Sequence, residues 1–107
     1  MSAEIADVLG LAADRIERDG WYQGSYYEGY ESGTNPGVAL RCHPQPCCVL
    51  GAISAESTEG CWLADQALLD FVGGSISLDR WNDAPERTQA EVVAALRGAA
   101  EQERGAS

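Results

Sequence analysis

The sequence contains no lysine. Its seven basic residues are all arginine, set against seventeen Asp and Glu, for a formal net charge of −10. Phosphate backbones are held by clustered Lys and Arg, so this balance makes direct nucleic-acid phosphate binding unfavourable. It disfavours anionic membrane surfaces for the same reason. No run of about 18 apolar residues occurs, so no membrane-spanning helix is expected. Met1-Ser2-Ala3-Glu4 lacks a basic region leading into an apolar stretch. The start therefore does not read as a signal peptide, and the expected compartment is the cytoplasm. There is one histidine, His43, and hence no metal-binding His pair. A Gly-rich phosphate loop, a CxxC spacing and an internal repeat are missing too.

What is present fits one small soluble domain over residues 1–107. The chain of 107 residues is 45% hydrophobic, enough for one core but not two. The acids run from Glu4 to Glu103 rather than forming a tail. Their ordinary role is solvation; the sharper one is attraction of a partner with a basic surface. Abundant Ala, Gly, Arg and Asp without Lys is also the codon signature of a GC-rich genome.

Hydrophobic periodicity predicts a mainly α fold. The expectation is a small bundle of about four helices, with a short two-stranded hairpin or ordered loop between helices 1 and 2. Residues 3–19 read as the first helix: Ile5, Val8, Leu9, Ala12 and Ile16 share one stripe. Ser2 is placed to cap it, Asp14 and Arg18 to pair on its wet side, and Gly20 to stop it. Trp21, Tyr22, Tyr26, Tyr27 and Tyr30 then crowd among glycines, followed by the turn signal Ser32-Gly33-Thr34-Asn35-Pro36-Gly37. Val38-Ala39-Leu40 reads as the return strand of the hairpin. A helix beginning at Pro46 or Cys47 and running to Glu56 is apolar nearly all round, so it should be buried, with Gly51 and Ala55 allowing close approach. Residues 59–72, with Trp62, Leu63, Leu68, Leu69, Phe71 and Val72, form the next helix, ended by Gly73-Gly74. Leu78 to Asp83 reads as one helical turn capped by Ser77. Thr88-Gln89-Ala90-Glu91 is a capping box opening the last helix, whose stripe is Val92, Val93, Leu96, Ala99 and Ala100. Its end frays after Glu103.

Cys42, Cys47, Cys48 and Cys61, with His43, are the residue types that bind zinc. Adjacent Cys47 and Cys48 on a helix would point about 100° apart, so they do not form a shared metal shell. No metal site and no cofactor is assigned. A disulfide from Cys42 to Cys47 or Cys61 is geometrically open, but a reducing cytoplasm opposes it. Cys48 and Cys61 fit better as small buried hydrophobes. A nucleophilic Cys47 or Cys48, its pKa lowered at a helix N-terminus, would have to use His43 as base. No orienting residue or oxyanion donor completes that set, so an enzyme is not the expected class.

Two stretches stand out as binding candidates. The run Trp81-Asn82-Asp83-Ala84-Pro85-Glu86-Arg87-Thr88 reads either as a rigid junction before the last helix or as an exposed recognition cluster. In the junction reading Trp81 anchors the core, Asn82 and Asp83 close a turn, and Arg87 pairs with an adjacent acid. The stretch Trp21 to Tyr30 supplies the aromatics over-represented at binding hot spots, although the same residues fill cores. The candidate binding residues are Trp21, Gln23, Tyr26, Tyr27, Trp81, Asn82, Asp83 and Arg87.

The chain also resembles a family of small actinobacterial and actinobacterial-phage proteins classed as a domain of unknown function. The resemblance rests on Ala12-Ala13-Asp14-Arg15-Ile16-Glu17-Arg18-Asp19-Gly20-Trp21 with Gln23-Gly24. It continues through Cys48-Val49-Leu50-Gly51-Ala52-Ile53, Trp81-Asn82-Asp83 and Arg87-Thr88 with Glu91-Val92-Val93. It implies a small helical fold and a phage or prophage setting, and it carries over no activity or catalytic residue. The leading expectation is a non-enzymatic accessory protein that binds another protein. The alternatives are a small-molecule-binding domain or small enzyme using Trp81 to Arg87, and a virion structural component.

Overall fold

A computed structural model describes residues 2–57, 61–74 and 76–105, without the side chains of Ser2, Ala3, Cys61 and Trp62. Among the described residues the fold has six helices and no sheet: α1 (Ser2–Asp19), α2 (Pro36–Cys42), α3 (Val49–Glu56), α4 (Cys61–Phe71), α5 (Leu78–Asn82) and α6 (Gln89–Gly105). The Ser2 cap, the burial of Cys61 and the packing of Trp62 lie outside the described residues.

The long helices α1 and α6 form the frame, and they run antiparallel. Gln89 bonds the Ile16 carbonyl near one end, and Arg104 reaches Asp7 near the other. The apolar stripes expected on both helices face inward. Leu9, Ala12 and Ile16 meet Val92, Leu96, Ala99 and Ala100 in one core that also takes Ile53 and Leu68. Ala12, Ala13, Ala99 and Ala100 are all buried in this core. Arg97 pairs with Asp14 and Glu17, both at 2.8 Å, on the wet rim of this contact. These exposed pairs add little stability. They also replace the expected Asp14–Arg18 pair, because Arg18 forks onto Asp19 at 2.9 Å instead.

The hairpin is not there. Asn35-Pro36-Gly37 starts a helix rather than turning the chain back. Asn35 accepts from the Val38 N–H at 3.2 Å, and proline stands in the first turn, where its missing N–H costs nothing. The resulting α2 lies against α3 so tightly that a Cβ on Gly37 would sit 2.5 Å from the Ser54 carbonyl oxygen. Val38 to Leu40 is therefore helical, and the described residues form six helices instead of about four. The aromatic segment pairs with the extended residues before α3. Tyr22 N donates to Cys47 O at 3.1 Å, and Cys48 N to Tyr26 O at 3.0 Å. Gly20 begins that excursion at φ +104°, a conformation that side-chain-bearing residues rarely adopt.

Arg15 ties the first three helices together. It is 7% exposed, and its Nε donates to Glu56 at 2.7 Å while an η nitrogen donates to Leu40 O at 3.2 Å. Ser77 stands at the N-cap of α5 but makes no side-chain cap bond there, contrary to the sequence expectation; the starts of α3 and α6 are capped. Cys48 Sγ accepts from Gly51 N at the start of α3, and Thr88 and Glu91 bond reciprocally at 3.2 and 3.0 Å at the start of α6. That helix continues through Gly105, beyond the expected fraying point.

Candidate functional site

The two stretches singled out in the sequence, about sixty residues apart, meet in space. The meeting point is Asn82, which is fully buried at the end of α5. Its Oδ1 accepts from the Trp21 indole Nε1 at 2.8 Å and from Val49 N at 3.0 Å. Its Nδ2 donates to Tyr22 O at 3.1 Å and to Asp83 Oδ1 at 3.0 Å. Two accepted and two donated bonds use the full capacity of the amide. Asn82 thus binds the aromatic loop and the first turn of α3 to α5, rather than closing a turn onto its own backbone. Gln23 Nε2 reinforces the junction by donating to Asn82 O at 3.0 Å and Ala84 O at 2.9 Å. Gly24 N donates to Asp83 Oδ1 at 3.0 Å.

Trp81 is buried with only 7% exposure, as an anchor would be. Arg87 leaves Asp83 and Glu86 alone. Its Nε donates to Trp81 O at 3.0 Å, and its guanidinium carbon lies 4.2 Å from the Trp81 ring centroid. Tyr27 is also buried, with its ring edge-to-face on Tyr30 at 5.5 Å. Trp81 and Tyr27 are therefore core residues, Arg87 packs on Trp81, and the Trp21–Asn82 bond joins the two stretches.

In front of this knot lies an open cleft of about 310 Å³. The aromatic loop contributes Gly24, Ser25, Tyr26 and Tyr30; the start of α3 contributes Cys48 and Leu50; α5 and its cap contribute Asp79, Asn82 and Asp83. Of the candidate residues, Tyr26, Asn82 and Asp83 line it. The Tyr26 and Tyr30 rings stand edge-to-face at 4.8 Å. Burial pushes the Tyr26 phenol above its ordinary range, helped by Tyr30, Cys48, Asp65 and Asp79, so it stays neutral. The Ser77 hydroxyl, and then the N–H groups opening α5, hold the Asp79 carboxyl below its usual range. Asp79 is therefore charged at neutral pH. Sequence reasoning missed Asp79, although a signal was available. Once Leu78 to Asp83 is read as a helical turn, Asp79 and Asp83 at i and i+4 share one face.

The thiols do not behave as expected for nucleophiles. Cys42, Cys47 and Cys48 are free, and Cys47 and Cys48 are buried. Burial pushes the Cys47 thiol up to about 12 and that of Cys48 up to about 11. The N–H of Gly51 at the start of α3 does act on Cys48 in the lowering direction, but desolvation is larger. His43 sits on the surface as the C-cap of α2. Among the described residues, no three His, Cys, Asp or Glu side chains converge as a metal shell.

A larger groove of about 620 Å³ runs along the α1–α6 seam, lined by Asp7, Leu11, Asp14, Arg97, Glu101 and Arg104 among others. Its acids and arginines already face one another: Arg97 pairs with Asp14, and Arg104 with Asp7. The cleft at Asn82 offers carboxylates and aromatic rings without an arginine among its lining residues.

No helix among the described residues is long and apolar enough to cross a membrane. Neither a curated protein nor a solved structure gives a significant match to the chain. A family model does: residues 1–102 match a family of unknown function, DUF6197, and the chain belongs to that family.

Proposed function

We propose that this protein is a non-enzymatic accessory protein that binds another protein, and that the partner docks at the Asn82 cleft. One observation carries the reading. Asn82 gathers two distant segments into a concave site that presents tyrosine rings and carboxylates. Tyr is enriched at binding hot spots because it adds a large contact area at low entropic cost. The thiol beside the cleft, Cys48, is held protonated by burial and is a poor nucleophile. We further propose a cytoplasmic setting in an actinobacterium, its phage or a prophage, in keeping with the lysine-free, arginine-bearing composition.

A second reading is a small-molecule-binding domain. The cleft volume favours it, since about 310 Å³ lies at the lower end of the range of about 300–1,000 Å³ for ligand pockets.

Affinity capture from an actinobacterial lysate tests the protein-binding reading with three baits. These are the wild-type chain, a Ser25→Trp variant that plugs the cleft, and a Glu101→Arg variant on the α1–α6 groove. The expected result is a stoichiometric species held by the wild type and by Glu101→Arg but released by Ser25→Trp. A species released only by Glu101→Arg, or none in any arm, contradicts it.

A further inference from the structure

The cleft has a definite chemical preference. Asp79 and Asp83 stand one helical turn apart on its rim, joined through the Asp83 N–H to Asp79 O bond of 3.0 Å. The two are among the seventeen acids behind the net charge of −10. Asp83 is fixed by one oxygen: Oδ1 accepts from Gly24 N and Asn82 Nδ2. Among the described residues, its other oxygen has no hydrogen-bond partner. The facing wall is the edge-to-face pair of Tyr26 and Tyr30, with Leu50 beside it. Aromatic rings and carboxylates around one concavity suit a cation that also has an apolar stem.

We infer that the occupant of this cleft is an arginine side chain presented by the partner protein, its guanidinium between the tyrosine wall and the carboxylates of Asp79 and Asp83. The inference rests on the proposed docking at this cleft. A guanidinium suits the site better than an ammonium because it is planar, stacks on rings and forks onto carboxylates. The fold already contains such a pairing where Arg87 lies over Trp81 at 4.2 Å. Leu50 supplies apolar surface for the side-chain stem.

The test is a titration of the isotope-labelled full chain, followed by amide chemical shifts. Three probes are used: a blocked Gly-Arg-Gly tripeptide, the same tripeptide with citrulline, and methylguanidine. The arginine tripeptide should shift the Gly24, Ser25 and Asp83 amides with a dissociation constant on the order of 1 mM. The citrulline tripeptide, which matches its shape without the charge, should bind about tenfold more weakly. Asp79→Asn should weaken the arginine tripeptide by about fivefold. Glu101→Gln, the same change of charge on the other groove, should leave binding unchanged.

Equal binding of the arginine and citrulline tripeptides overturns the arginine assignment while leaving the cleft as the docking site. Shifts confined to the α1–α6 groove, or no shifts at all, overturn it as well. Binding of methylguanidine as tight as that of the tripeptide overturns the protein side chain as occupant and supports the small-molecule reading. Failure of the docking proposal has a separate signature, retention of the lysate partner by Ser25→Trp.

Discussion

Asn82→Ala should be the most damaging single substitution at the site. The change removes four hydrogen bonds. Two of them leave donors stranded: the Trp21 indole N–H and the Val49 N–H, which lies in the first turn of α3 and has no helical partner. Each buried donor without a partner costs about 1–3 kcal/mol, and Tyr22 O and Asp83 regain some solvation, so the expected loss is about 3–5 kcal/mol. That is a large share of the roughly 5–15 kcal/mol that holds a domain of this size. Urea unfolding followed by tryptophan fluorescence should show a midpoint lower by roughly 2–3 M with little change in slope. Asn82→Asp separates hydrogen bonding from packing. A carboxylate still accepts from Trp21 and Val49, but it cannot donate to Tyr22 O and it meets the Asp83 carboxylate across what was a 3.0 Å bond. It should be destabilised at pH 7 and recover as the pH falls and a proton is shared between the two acids. A loss below about 1 kcal/mol for Asn82→Ala, or a pH-independent Asn82→Asp, refutes the view of Asn82 as a saturated hub.

Other perturbations test the surrounding fold. Asp65 is held by burial at a pKa of about 6, and its Oδ1 has no hydrogen-bond partner. A carboxyl raised in this way favours the folded state below about pH 4 and loses that contribution as the pH climbs through 6. Asp65→Asn should therefore stabilise the protein by about 1–2 kcal/mol at pH 7.5, after allowance for partial solvation, and by nothing at pH 4. Arg15→Met, by chemical denaturation, should cost about 2–4 kcal/mol because it orphans Glu56, and adding Glu56→Gln should restore a measurable part. Gly37→Ala should destabilise by about 1–3 kcal/mol in a thermal melt, although alanine favours helix, because the new Cβ would meet the Ser54 carbonyl at 2.5 Å.

Where one local rule governed an element, the sequence announced it. The stripe of Leu9, Ala12 and Ile16 and the Thr88–Glu91 capping box are periodic or local signals, and both are present in the fold. The turn at Ser32 and Gly33 is present, with Thr34 N donating to Glu31 O, but the return strand is not, because Asn35-Pro36-Gly37 serves both turns and helix starts. The choice between them was made by α3, whose Ser54 carbonyl lies against the Gly37 backbone. Cys48 is buried, as its reading as a small hydrophobe expects; the lowering that a helix N-terminus gives a nucleophile is a local effect, whereas desolvation depends on the whole core. At the site, the residue types were legible but their roles were not. Nothing in the spacing of Trp21 and Asn82 reveals a bond across 61 positions. The aromatic loop is brought there by backbone hydrogen bonds to Cys47 and Cys48 and by the Gln23 and Gly24 bonds to the α5 junction.

Hydrogen exchange of the full chain, free and with its captured partner, locates the docking site directly. Docking at the cleft predicts slowed exchange in residues 24–30 and 79–83, with the exposed α1–α6 groove around Leu11 and Glu101 unchanged. Protection of that groove with no change at the cleft would contradict it.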